Sequence, residues 1–221
     1  MVLIFDLDDT LYSEMQFVKS GFLAVAKELQ NLYNLPFLES YSFMLKVLNE
    51  KGRGSVFNDL LNFHGKFSIK NLNHCIKIYR HHKPDIELNS NVHLVLSFFP
   101  GNKYVVTDGH KIVQENKVKA LRISTYFKHI YITHRYGIIN SKPSIYCFDL
   151  IRRKEKCEWS DMCYIGDNPN KDFVNLKPLG VRTIRIQTGI YDTLKISELQ
   201  EAEFIISNIN EIKSLNFLHK Q

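Results

Sequence analysis

The chain has 221 residues, 44% of them hydrophobic, with 29 Lys and Arg against 23 Asp and Glu for a net charge of +6. That length fits one large domain or two modest ones and is enough to bury a core, and no apolar run approaches the roughly 18–20 residues of a membrane span. The mild basic excess suits a phosphorylated partner, but the Lys and Arg residues are scattered and no nucleic-acid motif accompanies them, so neither nucleic acid nor membrane is an expected partner.

In chain order, the first element is a short apolar run, Val2 to Phe5, which reads as a buried strand. It begins almost at once, without the basic lead of a signal peptide, which points to a cytoplasmic protein. It ends in Asp6, Asp8, Asp9 and Thr10. Carboxylates crowded at the carboxyl end of a strand repel one another unless a cation or a proton relieves them, and α/β sheets place their ligand sites there. The pattern suggests a hard ion such as Mg²⁺ on oxygen ligands, together with a carboxylate nucleophile.

Residues 14–86 carry helical patterns at 14–33, 39–50, 55–64 and 68–82 and no convincing strand, punctuated by Pro36, Gly52, Gly54, Gly65 and Pro84. This segment reads as an all-helical domain inserted after the first strand, with the remaining domain formed by 1–13 and 87–221. Within the insert, Arg53 lies between two glycines, where a guanidinium could reach a carboxylate or second phosphate. Asn58 and His64 are weaker candidates for the same side, as are Arg80 and His82 near the exit. An exposed loop arginine and a plain helix surface are the competing readings.

Beyond the insert, strands are predicted at 104–107, 130–132, 162–165 and 182–186, and helices at 111–123, 143–153, 170–178 and 208–213. Such alternation implies a parallel sheet covered by helices on both faces, an α/β Rossmann-like three-layer core. The second strand runs into Thr107, Asp108 and Gly109, where a hydroxyl and two backbone N–H groups could hold a phosphoryl oxygen and glycine permits a positive φ. Ser141-Lys142-Pro143 places a cation just before a helix, with Pro143 suited to its first position. The fourth strand ends at Gly166-Asp167, with Asp172 at a predicted helix start; one carboxylate could bind a metal and the other support it. Cys75, Cys147, Cys157 and Cys163 form no CxxC pair and read as reduced thiols; a zinc site on Cys157 and Cys163 does not fit the usual spacings.

Taken together, Asp6-x-Asp8-x-Thr10, Thr107, Lys142-Pro143 and Gly166-Asp167 followed by Asp172 resemble the motifs of the haloacid dehalogenase superfamily. The run Tyr79–Pro84 and the stretch Thr107-Asp-Gly-His…Gln114…Lys117 resemble its capped phosphatase branch, and the helical insert resembles its C1 cap. The resemblance implies a Mg²⁺-dependent phosphatase in which Asp6 is the nucleophile and Asp8 the acid and base. It also implies metal ligation by Asp6, Asp167 and the Asp8 carbonyl, phosphoryl binding by Thr107 and Lys142, and a supporting role for Asp172. The implied partner is a small phosphorylated metabolite: a sugar phosphate, an acidic sugar phosphate or a nucleotide monophosphate. The chain is expected as monomer or homodimer. Asp8 argues against haloacid chemistry, since dehalogenases of the superfamily normally lack that residue. Asp108 stands where many relatives have Asn. A phosphomutase and a non-catalytic binding protein on the same fold remain as alternatives.

Overall fold

A computed structural model of the chain describes residues 1–218. The chain divides into two compact units, Met1–Glu14 with Glu87–Gln221, and Met15–Ile86.

The first unit is built on a six-stranded sheet: β1 (Val2–Phe5), β2 (Lys103–Thr107), β3 (His129–Ile132), β4 (Met162–Gly166), β5 (Arg182–Ile186) and β6 (Phe204–Ile206). Their spatial order is β3-β2-β1-β4-β5-β6, and every pairing is parallel. The central strands β1, β2 and β4 are buried along their whole length, as expected where both faces are covered. One side chain parity, Val2, Ile4, Tyr104, Val106, Met162 and Tyr164, packs with Cys147, Phe148 and Ile151 of a helix at Tyr146–Glu155. The strand order reverses at β1, where β2 and β4 flank it on either side. That makes the carboxyl ends of β1 and β4 the crevice in which doubly wound sheets bind ligands.

Several elements differ from the sequence reading. No helix spans 170–178. The side chain of Asn168 accepts from the Asn170 amide and its carbonyl from the Lys171 and Asp172 amides, so local bonds around Asn-Pro-Asn win over helix, leaving turns and a 3-10 stretch at Lys177–Leu179. Asp172 therefore lies in a turn and not at a helix start. Pro143 precedes the helix by three residues and does not open it. The predicted helix over 208–213 is a 3-10 turn at Ile209–Ser214. A short helix at Val92–Phe98 was not expected, because His93 and Ser97 interrupt the apolar run; they are its exposed face, while Val92, Val95 and Leu96 are buried. β6 has three residues, too few for a strand period to show.

The second unit contains four helices, α1 (Glu14–Tyr33, its first residue belonging to the sheet unit), α2 (Phe37–Lys51), α3 (Val56–Phe63) and α4 (Ile69–His81). They enclose a core of Val18, Phe22, Val25, Ala26, Leu29, Met44, Val47, Val56, Leu60, Leu61 and Cys75. Gly21 lies inside α1, and the Tyr79 ring occupies the space its side chain would need.

Candidate active site

Because β1 and β4 run side by side, the residues just past their ends meet. Phe5 is in register with Ile165, and the Asp6 amide donates to the Ile165 carbonyl at 2.8 Å. Asp6 is buried. Its Oδ1 accepts from the Leu7 amide at 2.8 Å and its Oδ2 lies 2.8 Å from Lys142 Nζ. Burial, reinforced by the charge of Asp172, outweighs Lys142 and raises the Asp6 carboxyl to about 6.

Lys142 is held from three sides. Its ammonium lies 2.8 Å from Asp6, 2.8 Å from Asp172 Oδ1 and 2.9 Å from the Tyr164 hydroxyl, with its side chain 1% exposed. Burial alone would lower its pKa, but Asp172 and Asp6 raise it well above the ordinary lysine value, which favours its charged form. The second oxygen of Asp172 is also engaged: Oδ2 accepts from the Asn168 amide at 2.9 Å.

Carboxylate oxygens of Asp6, Asp167 and Asp172 lie within 4.8 Å of one another. Asp167 has no hydrogen bond or ion pair among the described residues, and burial with the charges of Asp6 and Asp172 pushes it up to about 9. Three buried carboxylates with only one lysine between them form an oxygen donor set that a hard divalent cation would relieve. Asp6 and Asp167 fit such an ion; Asp172, with one oxygen on Lys142 and the other on the Asn168 amide, supports Lys142.

Asp8 has a different setting from Asp6. Its Oδ1 lies 2.7 Å from Lys117 Nζ and accepts from the Tyr12 hydroxyl, and its Oδ2 accepts from Gln114 Nε2 at 2.8 Å. Burial would raise this carboxyl, but Lys117, then the bonds from Lys117, Tyr12 and Gln114, hold it below the usual range. The two carboxyls are thus pushed apart, with Asp8 the more acidic.

Thr107 is fully buried, and its Oγ1 accepts from Gln114 Nε2 at 2.6 Å. Gly109 has φ +136°, with the Gln114 side chain packed where a Cβ would be. The Asp108 side chain accepts from the Thr133 hydroxyl at 2.7 Å and the Lys142 amide at 3.1 Å, and Lys171 Nζ lies 3.3 Å away. Asp108 therefore fixes the loop that carries Lys142. Burial would raise its carboxyl, but Lys142 and Lys171 hold it below the usual range. Asp9 and Thr10 are not part of the carboxylate group. Asp9 accepts from the Glu14 amide at 2.8 Å at the start of α1, and the buried Thr10 hydroxyl has no hydrogen-bond partner among the described residues.

A family model for haloacid dehalogenase-like hydrolases matches residues 3–186, most of the chain. The chain belongs to this family.

Among similar proteins, the glyceraldehyde 3-phosphate phosphatase of Methanocaldococcus jannaschii is 28% identical over 226 residues, covering 95% of this chain and 98% of that protein. The HAD-hydrolase YfnB of Bacillus subtilis, solved bound to magnesium, superposes with a TM-score of 0.68 at 16% identity, covering 99% of this chain and 98% of that one. A 2-haloacid dehalogenase from Pseudomonas syringae gives 0.65 at 18% identity, covering 96% of each chain. The haloacid dehalogenase fold is thus shared at low identity by proteins named for different reactions, and the site must carry the functional argument.

In this haloacid dehalogenase-like hydrolase, the structure gathers Asp6, Asp8, Thr107, Asp108, Gly109, Lys142, Asp167 and Asp172 at one edge of the sheet. The remaining candidates lie in the helical unit. Arg53 is exposed in the bend between α2 and α3, and Asn58 is half-buried on α3. His64 is engaged by the buried Ser40 hydroxyl at 2.9 Å. His82 packs on Phe17 and bonds the Tyr79 carbonyl, with burial lowering its pKa. Sequence reasoning gave no role to Tyr12, Gln114, Lys117, Tyr164 or Lys171. Gln114 and Lys117 entered the sequence reading only as part of the resemblance to the capped phosphatase branch; both lie on the buried face of the helix at Lys111–Leu121, beside Val118 and Leu121, where polar residues call for a partner.

Proposed function

We propose that the chain is a Mg²⁺-dependent phosphatase acting on a small phosphorylated metabolite, with Asp6 as the nucleophile. The observation that carries this reading is the buried Lys142 ammonium, 2.8 Å from the Asp6 carboxylate. An anion there can meet an anionic phosphoryl group only with fixed positive charge beside it, and phosphoryl transfer depends chiefly on positioning and charge stabilisation. Asp6, Asp167 and the Asp8 carbonyl would hold Mg²⁺, which when bound neutralises the crowded carboxylates and the phosphoryl oxygens.

An Asp6 carboxylate oxygen attacks phosphorus and the ester P–O bond breaks, leaving an aspartyl-phosphate. The departing oxygen takes a proton from Asp8. The dianionic substrate opposes the Asp8 anion and so favours its protonated form once bound. Water then attacks phosphorus, gives its proton to Asp8, and inorganic phosphate leaves with Asp6 restored. The Thr107 hydroxyl, the Asp108 and Gly109 amides and Lys142 hold the phosphoryl oxygens. The 2-haloacid reaction is disfavoured because a departing halide needs no proton, so the acid that Asp8 supplies would have no use there.

The helical unit serves in this reading as a cap that selects substrate, with Arg53 and Asn58 as its candidate contacts. The relative from Methanocaldococcus jannaschii directs attention to three-carbon phosphates, including glyceraldehyde 3-phosphate, within the sugar phosphate class. The test is phosphate release from a panel of alkyl phosphates (triose, pentose and hexose phosphates, phosphoglycolate, nucleoside monophosphates) with Mg²⁺, beside Asp6→Asn as the blank. Release above the blank supports the phosphatase. Isomerisation dependent on a bisphosphate primer, without phosphate release, would instead make the chain a mutase.

A further inference from the structure

Lys117 and Gln114 stand one helical turn apart and converge on one carboxylate. The Lys117 side chain is 3% exposed, yet its ammonium reaches Asp8 Oδ1 at 2.7 Å and Glu14 Oε1 at 3.6 Å. A lysine is rarely buried without a purpose for its charge. Tyr12, itself fully buried, donates to the same Oδ1. On the other oxygen the arrangement differs. Gln114, buried, uses its one amide nitrogen twice, toward Asp8 Oδ2 at 2.8 Å and toward Thr107 Oγ1 at 2.6 Å. Both amide hydrogens are spent on these two residues, so the spacing between the Asp8 carboxyl and the Thr107 hydroxyl is set by one planar group.

We infer that Lys117 and Gln114 are positioning residues for proton transfer: Lys117, with Tyr12, anchors Asp8 through Oδ1, while Gln114 aims Oδ2 as the working oxygen and ties it to the Thr107 phosphoryl pocket. This rests on the phosphatase reading and deepens it. Two strong bonds on Oδ1 fix the carboxyl plane. Oδ2 has one bond from a neutral amide, which leaves a lone pair for the proton that passes to the departing oxygen and later returns from water. Rotation of an unanchored Asp8 would carry that proton out of hydrogen-bond reach, and the geometry of an acid decides its usefulness before its strength does.

The leaving group separates this role from a merely structural one. An alkoxide needs a proton as it departs, whereas p-nitrophenolate does not. The experiment measures kcat and KM of Lys117→Met, Gln114→Leu and Lys117→Arg on the best alkyl phosphate of the panel above and on p-nitrophenyl phosphate. Lys117→Met and Gln114→Leu should lose about 100-fold in kcat/KM on the alkyl phosphate and far less on p-nitrophenyl phosphate; kcat/KM covers only the steps up to departure of the leaving group, so the water attack common to both substrates does not enter it. Lys117→Arg, which keeps a donor, should recover part of the alkyl activity. Equal losses of kcat/KM on both substrates would reduce the pair to a structural support, and no loss on either would remove its role; both outcomes overturn the inference. Activity on p-nitrophenyl phosphate also shows that each variant has folded. A parent protein that released phosphate from neither substrate would defeat the phosphatase reading itself, and this inference with it.

Discussion

The Asp172 carboxylate fills the space that a side chain at Gly166 would occupy. Gly166 is the last residue of β4, and Asp172 reaches back across it to hold Lys142 at 2.8 Å. Gly166→Ala should therefore displace the partner of Lys142 as well as crowd the core. We expect a stability loss of about 1–3 kcal/mol from overpacking and a much larger loss of phosphate release at saturating substrate. Retention of full turnover, with thermal denaturation unchanged, would show that Asp172 can yield without moving Lys142.

Lys142 sits between Asp6 and Asp172 with almost no exposure to water. Removing it leaves carboxylates buried without their counter-charge. Lys142→Met should cost about 3–5 kcal/mol, the usual penalty for breaking a buried pair from one side, and should abolish turnover. Arginine is no substitute, because its planar fork does not fit a point charge held from three directions. Chemical denaturation of both variants, beside phosphate release, checks this; an active Lys142→Arg would count against the point-charge role.

Asp6→Asn keeps the size and the Leu7 amide contact of the side chain but removes the proposed nucleophile. Turnover should fall by about 10⁴-fold or more, while the far-ultraviolet dichroism spectrum stays that of the parent. Hydrolysis at the parental rate would mean that another group attacks phosphorus.

The pH dependence of metal binding follows from the raised carboxyls. Asp6 at about 6 and Asp167 at about 9 hold protons in the folded chain that they have lost in the unfolded one, where an aspartate titrates near 3.9. Their contribution to stability is greatest below the unfolded pKa and declines as pH rises toward the folded values. Mg²⁺ held by these carboxylates, as proposed, would have to displace those protons, more of them at low pH than at high pH. The increase in melting temperature on adding Mg²⁺ to the chelator-treated protein should therefore be larger at pH 8 than at pH 5. Equal shifts at the two values would exclude these carboxylates as the ligands.

In the helical unit, Gly21→Ala sets two effects against each other. Alanine favours a helix interior by about 1 kcal/mol over glycine. Its methyl group would enter the Tyr79 ring, which cannot retreat easily because Phe17, Phe22, Phe57 and His82 surround it. We expect net destabilisation of about 1–3 kcal/mol, read by thermal denaturation; a more stable variant would show that the ring moves freely.

The sheet edge was legible in the sequence because Asp6 and Asp167 each come at the end of an uninterrupted apolar strand. Val2–Phe5 before Asp6 and Met162–Ile165 before Gly166-Asp167 need only a parallel sheet to bring the two acids together. The four helices of the insert were legible from periodicity and from Pro and Gly breaks. What the sequence hid is of two kinds. Asn168-Pro-Asn170 makes bonds too local for a periodicity argument, so turns replaced the expected helix over 170–178. The setting of Asp8 depends on Gln114 and Lys117, more than a hundred positions away, and no spacing rule joins them. Only these tertiary partners show that the Asp8 carboxyl is lowered while that of Asp6 is raised.

The crowding of Asp6, Asp167 and Asp172 places a defect of folding where the chemistry is. Of the three, only Asp167 has no hydrogen bond or ion pair among the described residues, and the charges of Asp6 and Asp172 weigh on it more than that of Lys142. Selection for thermal endurance alone would favour the amide of Asp167, which has no charge to bury but would lack the carboxylate of the proposed metal ligand. The acid at this position thus records a preference for reactivity over durability, written in one oxygen atom at the end of a strand.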